Sequence, residues 1–171
     1  MIILGIDPGI AIVGWGVIEY QSSRFKTIAY GAITTEAGLD VEVRLAQVYR
    51  ELCEIITFYK PDEMAVEELF FNTNVTTGIA VAEARGVILL AGIQSGLRIA
   101  EYNPLQVKSA IAGYGRAEKK QVMSMVASLL RLKNVPKPDD TADALAIAVC
   151  HAHTGCSKLA SFYNQKKTRL T

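Results

Sequence analysis

The sequence predicts an α/β fold: one mixed five-stranded sheet, its first three strands antiparallel and the later ones parallel, with helices on both faces. Three observations lead there. Apolar and β-branched runs separated by turn signals fill the chain up to Thr34, a helical periodicity takes over at Val41, and short apolar runs then alternate with helical segments.

The elements follow in order. Ile2 to Ile6 reads as a strand closed by the turn signal Asp7-Pro8-Gly9, a second strand runs through Val13, Trp15 and Val17, and Phe25 to Thr34 is a third, giving a meander. Val41, Leu45, Val48, Leu52, Ile55, Ile56 and Tyr59 mark one face of a long helix that Pro61 ends. Met64 to Leu69 is a short apolar strand returning parallel to the first. Thr73 to Thr77 opens a second long helix reaching about Ser95, and Leu97 to Tyr102 is the fifth strand, stopped by Asn103-Pro104. Helices are expected over Gln106 to Ile111, Glu118 to Leu132 and about Asp140 to His153, separated by Gly113 and Gly115 and by a loop holding Pro136 and Pro138.

The 171 residues suit one domain, over 1–155, followed by a flexible polar and basic tail over 156–171. Three cysteines, Cys53, Cys150 and Cys156, show no paired spacing, which indicates neither a disulfide framework nor a zinc knuckle and fits a reducing cytoplasm. The apolar start meets Asp7 too soon for a signal peptide or membrane span, and Gly86 to Ile93 is also too short to span.

Net charge is only +1, but it is unevenly placed. From Pro104 to Lys137 there are seven basic residues (Lys108, Arg116, Lys119, Lys120, Arg131, Lys133, Lys137) against Glu118 alone, and the tail adds four more. The rest is therefore acidic, a division that suits metal ions on one surface and phosphates on another. Solvated lysines without a partner are the plainer account of the same charges.

Four acids stand out. Asp7 ends the first strand, Glu67 lies in the fourth, and Asp140 and Asp143 share one face in the first turn of the last helix. If the first and fourth strands are neighbours, all four converge. Such a cluster is tolerated when a multivalent cation neutralises it, and oxygen-only ligands select Mg²⁺ or Mn²⁺ over zinc. Two such ions serve phosphodiester hydrolysis. Separately, Asp7-Pro8-Gly9 is also a good turn and the two aspartates also suit a helix N-terminus. Glu67, in an apolar strand, needs a partner or an ion in either case.

Ile6 to Gly9, Ala65 to Phe70 and Asp140 to Ala146 resemble the RuvC family of Holliday junction resolvases, as do Ala84-Arg85-Gly86, Gln106-Val107-Lys108 and Ala117-Glu118-Lys119. The resemblance covers about residues 1 to 155. It implies a ribonuclease-H-like nuclease domain and a homodimer that binds a four-way DNA junction, nicks two strands symmetrically and cooperates with a branch-migration motor of the RuvA and RuvB type. It places Asp7, Glu67, Asp140 and Asp143 at the catalytic metal positions, with two Mg²⁺ ions per subunit for which Mn²⁺ substitutes. Lys108 and Lys119 match lysines near the scissile phosphate, and Phe70 matches an aromatic that stacks in the junction. Arg116 and Lys120 join the DNA-binding flank. Gly86 to Ile93 then suits either core packing or the subunit contact.

Two registers need deciding. Glu68 follows Glu67 where many relatives carry glutamine, and strand alternation lets only one face the site. Asp139 competes with Asp140, and motif register favours Glu67 and Asp140. His151 and His153 suit an exposed or capping place at a helix end, or a place near the site. Two rival readings remain. Asp7, Gly9, Gly14 and Gly16 faintly echo the phosphate loop of actin-like and sugar-kinase ATPases, which need two lobes. A non-enzymatic junction-binding module would make the acids structural.

Overall fold

The computed structural model describes residues 1–69 and 75–155. Three strands come first: β1 (Ile2–Asp7), β2 (Ile12–Gln21) and β3 (Arg24–Thr34). They are joined as antiparallel neighbours, and the tight β2–β3 hairpin turns through Ser22 and Ser23, both at positive φ. Helix α1 (Val41–Tyr59) leads to β4 (Glu63–Glu67), α2 (Val75–Gln94) to β5 (Arg98–Tyr102), and α3 (Pro104–Ala112), α4 (Lys119–Leu129) and α5 (Asp139–Gly155) complete the order.

The sheet order is β3-β2-β1-β4-β5, with β4 parallel to both β1 and β5. All five expected strands and the mixed topology are present. The boundaries moved where local chemistry intervened. The fourth strand ends at Glu67 and not Leu69. Helix α3 starts at Pro104, two residues early, because Asn103 and Gln106 form a reciprocal capping box with Pro at the first helical position. Helix α4 stops at Leu129, short of Leu132.

Central position explains why β1 is apolar almost throughout: both its faces are covered. Ile3 belongs to the core beneath α3, α4 and α5, whereas Leu4 and Ile6 belong to the core beneath α1 and α2. Strand alternation therefore puts Ile3, Gly5 and Asp7 on the α5 face. In β4 it puts Ala65 on that face and Met64 and Val66 on the other, so Glu63 and Glu67 also face α5.

Helix α5 is buried on nearly every side from Thr141 to Ala152, and its small residues let it lie close on β1 and β2. A Cβ on Gly14 would stand 2.0 Å from the Asp140 carbonyl oxygen, so this stretch of β2 has room for the helix only because it lacks a side chain. Gly14 and Gly16 are thus a seat for α5.

Helix α2 divides its apolar residues. Ala84, Ile88 and Ala91 are buried in the core, whereas Leu90 and Ile93 are 49% and 63% exposed. Ile79, Glu83 and Gly86 lie exposed on the same stripe as those two. Cys53 and Cys150 are free thiols, and burial pushes Cys150 up to about 12, leaving it inert at neutral pH. Among the described residues no helix is long and apolar enough to cross a membrane.

Candidate active site

The parallel ladder between β1 and β4 runs to the pair Ile6↔Val66. The next residues on the two strands, Asp7 and Glu67, end side by side at one edge of the sheet, both on the α5 face. Glu68 follows just past the strand end and is exposed, whereas Glu67 is the one of the two whose charge acts on Asp7. Helix α5 crosses this edge with its first turn, and the seat at Gly14 holds Asp140 there. Asp143, one turn on, is on the same face.

The electrostatics show that these side chains share one region. Burial, then Glu67, Asp143 and Asp140 in turn, hold the Asp7 carboxyl well above the usual carboxylate range, against the pull of Lys119. Burial and then Asp143 push Glu67 up to about 7, opposed by Lys119 and Lys108. Residues remote in the chain therefore repel one another in a desolvated place.

Two lysines answer that charge. Lys119, at the start of α4, sets its Nζ 2.9 Å from Asp143 Oδ2, and that hydrogen bond raises its own pKa. Lys108, on α3, acts on Glu67. Asp139 is turned to Lys137, whose Nζ is 2.6 Å from Asp139 Oδ1, and this bond lowers its pKa. Asp140 acts on Asp7 and Asp139 does not, although the Asp139 charge does reach Lys119. Arg116 and Lys120 are exposed and make no ion pair with another described residue. Phe70 lies outside the described residues.

Both histidines are placed away from the acids. His151 is buried at the far end of α5, which overturns an exposed or capping position for it. Glu63, at the opposite end of β4 from Glu67, reaches its Nε2 at 2.7 Å, and the Tyr102 hydroxyl reaches its Nδ1 at 2.8 Å. Glu63 also pairs with Arg98, and Thr154 donates to the Tyr102 hydroxyl at 2.9 Å. Burial lowers the His151 pKa against the opposing pull of Glu63. His153 is exposed and approaches the Ala110 carbonyl oxygen at 3.3 Å.

One contact near the site had no role in the sequence reading: Arg85, from α2, donates through Nε to the Glu67 carbonyl oxygen at 3.2 Å. The available signal was the segment Ala84-Arg85-Gly86, which carried the resemblance without a role for its arginine.

Among the described residues no group of three or more acids, histidines or cysteines stands in ready ligating positions around one point. The acids are gathered but not closed into a cage. The Lys119 ammonium takes up Asp143. The donor set still fits a hard divalent cation, because it is oxygen-only and two of its members, Asp7 and Glu67, are held above the usual carboxylate range by burial first and by neighbouring acids second.

A five-stranded sheet in this order, with acids at the edge of β1 and β4 and under α5, defines a nuclease of ribonuclease-H-like architecture. The family described as Crossover junction endodeoxyribonuclease RuvC matches residues 3–151. A crossover junction endodeoxyribonuclease RuvC from Alkaliphilus oremlandii is 59% identical over 91% of this chain and 94% of its own. The Thermus thermophilus RuvC structure superposes with a TM-score of 0.83 at 34% identity, covering 91% of this chain and 95% of that one. The same Thermus thermophilus protein in complex with a Holliday junction substrate gives a TM-score of 0.83 at 32% identity, with the same coverage. The chain belongs to the RuvC family of crossover junction endodeoxyribonucleases, and with that family goes dependence on a divalent metal.

Proposed function

We propose that this protein resolves four-way DNA junctions in recombination and repair by nicking two strands symmetrically, with Asp7, Glu67, Asp140 and Asp143 holding two Mg²⁺ ions per subunit. Mn²⁺ substitutes in this reading. The observation that carries it is the meeting of these acids at the end of β1 and β4, where burial and then the charges of Glu67, Asp143 and Asp140 raise Asp7, and burial and then Asp143 raise Glu67. Carboxylates gathered at this cost to one another are poised for a cation.

When bound, the ions supply an activated water and offset charge on the leaving oxygen of an in-line displacement. The protein's own groups do the rest. Asp7 and Glu67 are carried on two neighbouring strands and Asp140 and Asp143 on one helix, so the ligands sit on rigid elements. Lys119 and Lys108 border the acids, and each offers an ammonium to the phosphate on which negative charge develops. Arg116 and Lys120, exposed beside Lys119, bind DNA phosphates farther from the cut. Phe70 follows the Glu67 strand end closely, and we assign it the base-stacking role in the opened junction.

Residues 1–155 form the nuclease domain and 156–171 a polar and basic tail. The protein acts as a cytoplasmic homodimer, which a symmetric pair of nicks requires. The exposed stripe of Ile79, Gly86, Leu90 and Ile93 supports α2 as the subunit contact: its spacing of three and four residues matches a helix-to-helix seam, and Gly86 permits close approach. A branch-migration motor of the RuvA and RuvB type is the expected companion.

The test incubates the protein with a synthetic four-way junction and with a linear duplex, each with and without Mg²⁺. Paired nicks in the junction alone, only with Mg²⁺, support the reading, and equal cutting of both substrates overturns it. Asp7→Asn keeps junction binding and loses cleavage. If cleavage and metal response survive that change, the acids are structural.

A further inference from the structure

The fold treats the two charges of α2 differently. Glu83 is exposed, whereas the Arg85 side chain is only 16% exposed and is directed at the ends of β4 and β5. Its Nε donates to the carbonyl oxygen of Glu67 at 3.2 Å, and its Nη2 donates to Glu101 Oε2. Withdrawing a guanidinium this far from water is unfavourable unless its donors are satisfied, and here one partner is a main-chain atom of an acid in the site.

The peptide joining Glu67 to Glu68 is thereby held from both sides. Its N–H, on Glu68, donates to the Tyr102 carbonyl oxygen at 2.9 Å, and its carbonyl, on Glu67, accepts from Arg85. The ladder between β1 and β4 stops one residue earlier, so β1 supplies no registered partner at Glu67. Because a peptide is planar, holding it fixes the backbone rotation of Glu67 and hence the direction of its side chain relative to the strand. Glu101 anchors the other arm of the guanidinium. It stands in register with Val66 on β5, on the face turned away from α5.

We propose that Arg85 is a positioning residue: with Glu101 as its anchor, it clamps the Glu67–Glu68 peptide and sets the direction in which the Glu67 carboxylate enters the acid cluster. The inference rests on reading Glu67 as a ligand for the divalent ion. Arg85 acts through the Glu67 backbone and touches neither the ion nor DNA. A lysine cannot replace it, since a point ammonium lacks the planar fork that reaches a carbonyl and a carboxylate in two fixed directions.

The experiment compares wild type, Arg85→Lys and Glu101→Gln in two measurements on the full chain. The first is thermal unfolding during a Mn²⁺ titration without DNA. The second is single-turnover cleavage of a four-way junction at saturating protein and Mg²⁺, with junction binding measured in EDTA. Arg85→Lys is expected to move the Mn²⁺ midpoint to about tenfold higher concentration and to slow cleavage about 10- to 100-fold, the usual effect of losing an outer support of a metal site. Metal-free unfolding and junction binding stay close to wild type. Glu101→Gln shifts both readouts in the same direction by less. If Arg85→Lys does not fold, Glu101→Gln decides, because its carboxylate is 45% exposed and its loss leaves the core intact.

Wild-type Mn²⁺ midpoints and cleavage rates in the folded variants overturn the proposal, as does a lowered metal-free unfolding temperature with an unchanged midpoint, which is the signature of a purely structural tie. A wild-type protein that shows neither a Mn²⁺ response nor cleavage refutes the metal-site reading itself and the Arg85 inference with it. The two failures are therefore told apart by the wild-type control.

Discussion

Lys119 Nζ lies 2.9 Å from Asp143 Oδ2, so a basic residue of α4 partly neutralises the acids gathered by β1, β4 and α5. The pair is open to solvent on the lysine side, where the side chain is 57% exposed, and screening limits its contribution to stability to at most about 1 kcal/mol. Lys119→Met should therefore fold normally. Its junction cleavage should fall by about 10²- to 10³-fold, the scale of losing one charge-stabilising group in a transition state. Circular dichroism and single-turnover cleavage check this together. An unfolded variant assigns Lys119 to structure.

The pH dependence of stability without divalent ions has a definite sign. Glu67 rises from its ordinary 4.5 to about 7 in the folded protein, so between those values the native state binds more protons than the unfolded chain. The stability that this group contributes is fully present below about 4.5 and is lost as pH rises through about 7. Glu67→Gln removes this group's share of the dependence, while that of Asp7 remains. In EDTA the variant should match wild type near pH 4.5 and exceed it at pH 8 by on the order of a few kcal/mol, measured by urea unfolding at both pH values. A difference that shrinks toward alkaline pH contradicts the proposed repulsion. Saturating Mg²⁺ should close the gap, because the ion stabilises only the protein that keeps the acid.

Gly14→Ala tests the seat of α5. The added methyl would meet the main chain at Asp140 and not a flexible side-chain end, so the helix must shift. A destabilisation of about 1–3 kcal/mol or more is expected, with a loss of cleavage in whatever protein stays folded. Denaturant unfolding paired with cleavage per folded molecule measures both, and wild-type behaviour in both shows that the helix has slack.

His151→Phe addresses the opposite pole of α5. The substitution removes the two hydrogen bonds at the ring nitrogens, while Glu63 keeps Arg98 and the Tyr102 hydroxyl keeps Thr154, and losing these two bonds should cost about 1–3 kcal/mol. The acids are at the other end of the helix. Cleavage per folded molecule should stay within about twofold of wild type at 25 °C, a difference of less than about 0.5 kcal/mol. A larger loss of activity in stable protein ties His151 to the chemistry after all.

Leu90→Glu tests the subunit contact. Leu90 is half exposed on α2, so a monomer loses little stability from the change, within about 0.5 kcal/mol. A dimer joined along that stripe buries two opposed carboxylates and separates. Sedimentation velocity should show a dimer for wild type and a monomer for the variant. A variant that remains dimeric moves the contact elsewhere.

Local pattern was enough for the elements, because each obeys a short-range rule: short apolar runs bounded by turn signals in β1 and β4, and period three to four in α1; the capping box at Asn103, which starts α3 two residues early, was not read. Alternation limited the choice to one of Glu67 and Glu68, and the motif register of the resemblance, not the strand pattern, favoured Glu67. The four acids were nameable from residue type, spacing and the resemblance of their surroundings. Only the tertiary structure decided which partner each charge has. Lys119 against Asp143, Lys137 against Asp139, His151 between Glu63 and Tyr102, and Arg85 on the Glu67 carbonyl all join different elements or turns. No periodicity encodes such pairs. They depend on how helices settle on the sheet, and that is fixed by packing details such as the missing side chain at Gly14, which acts across more than a hundred residues of chain.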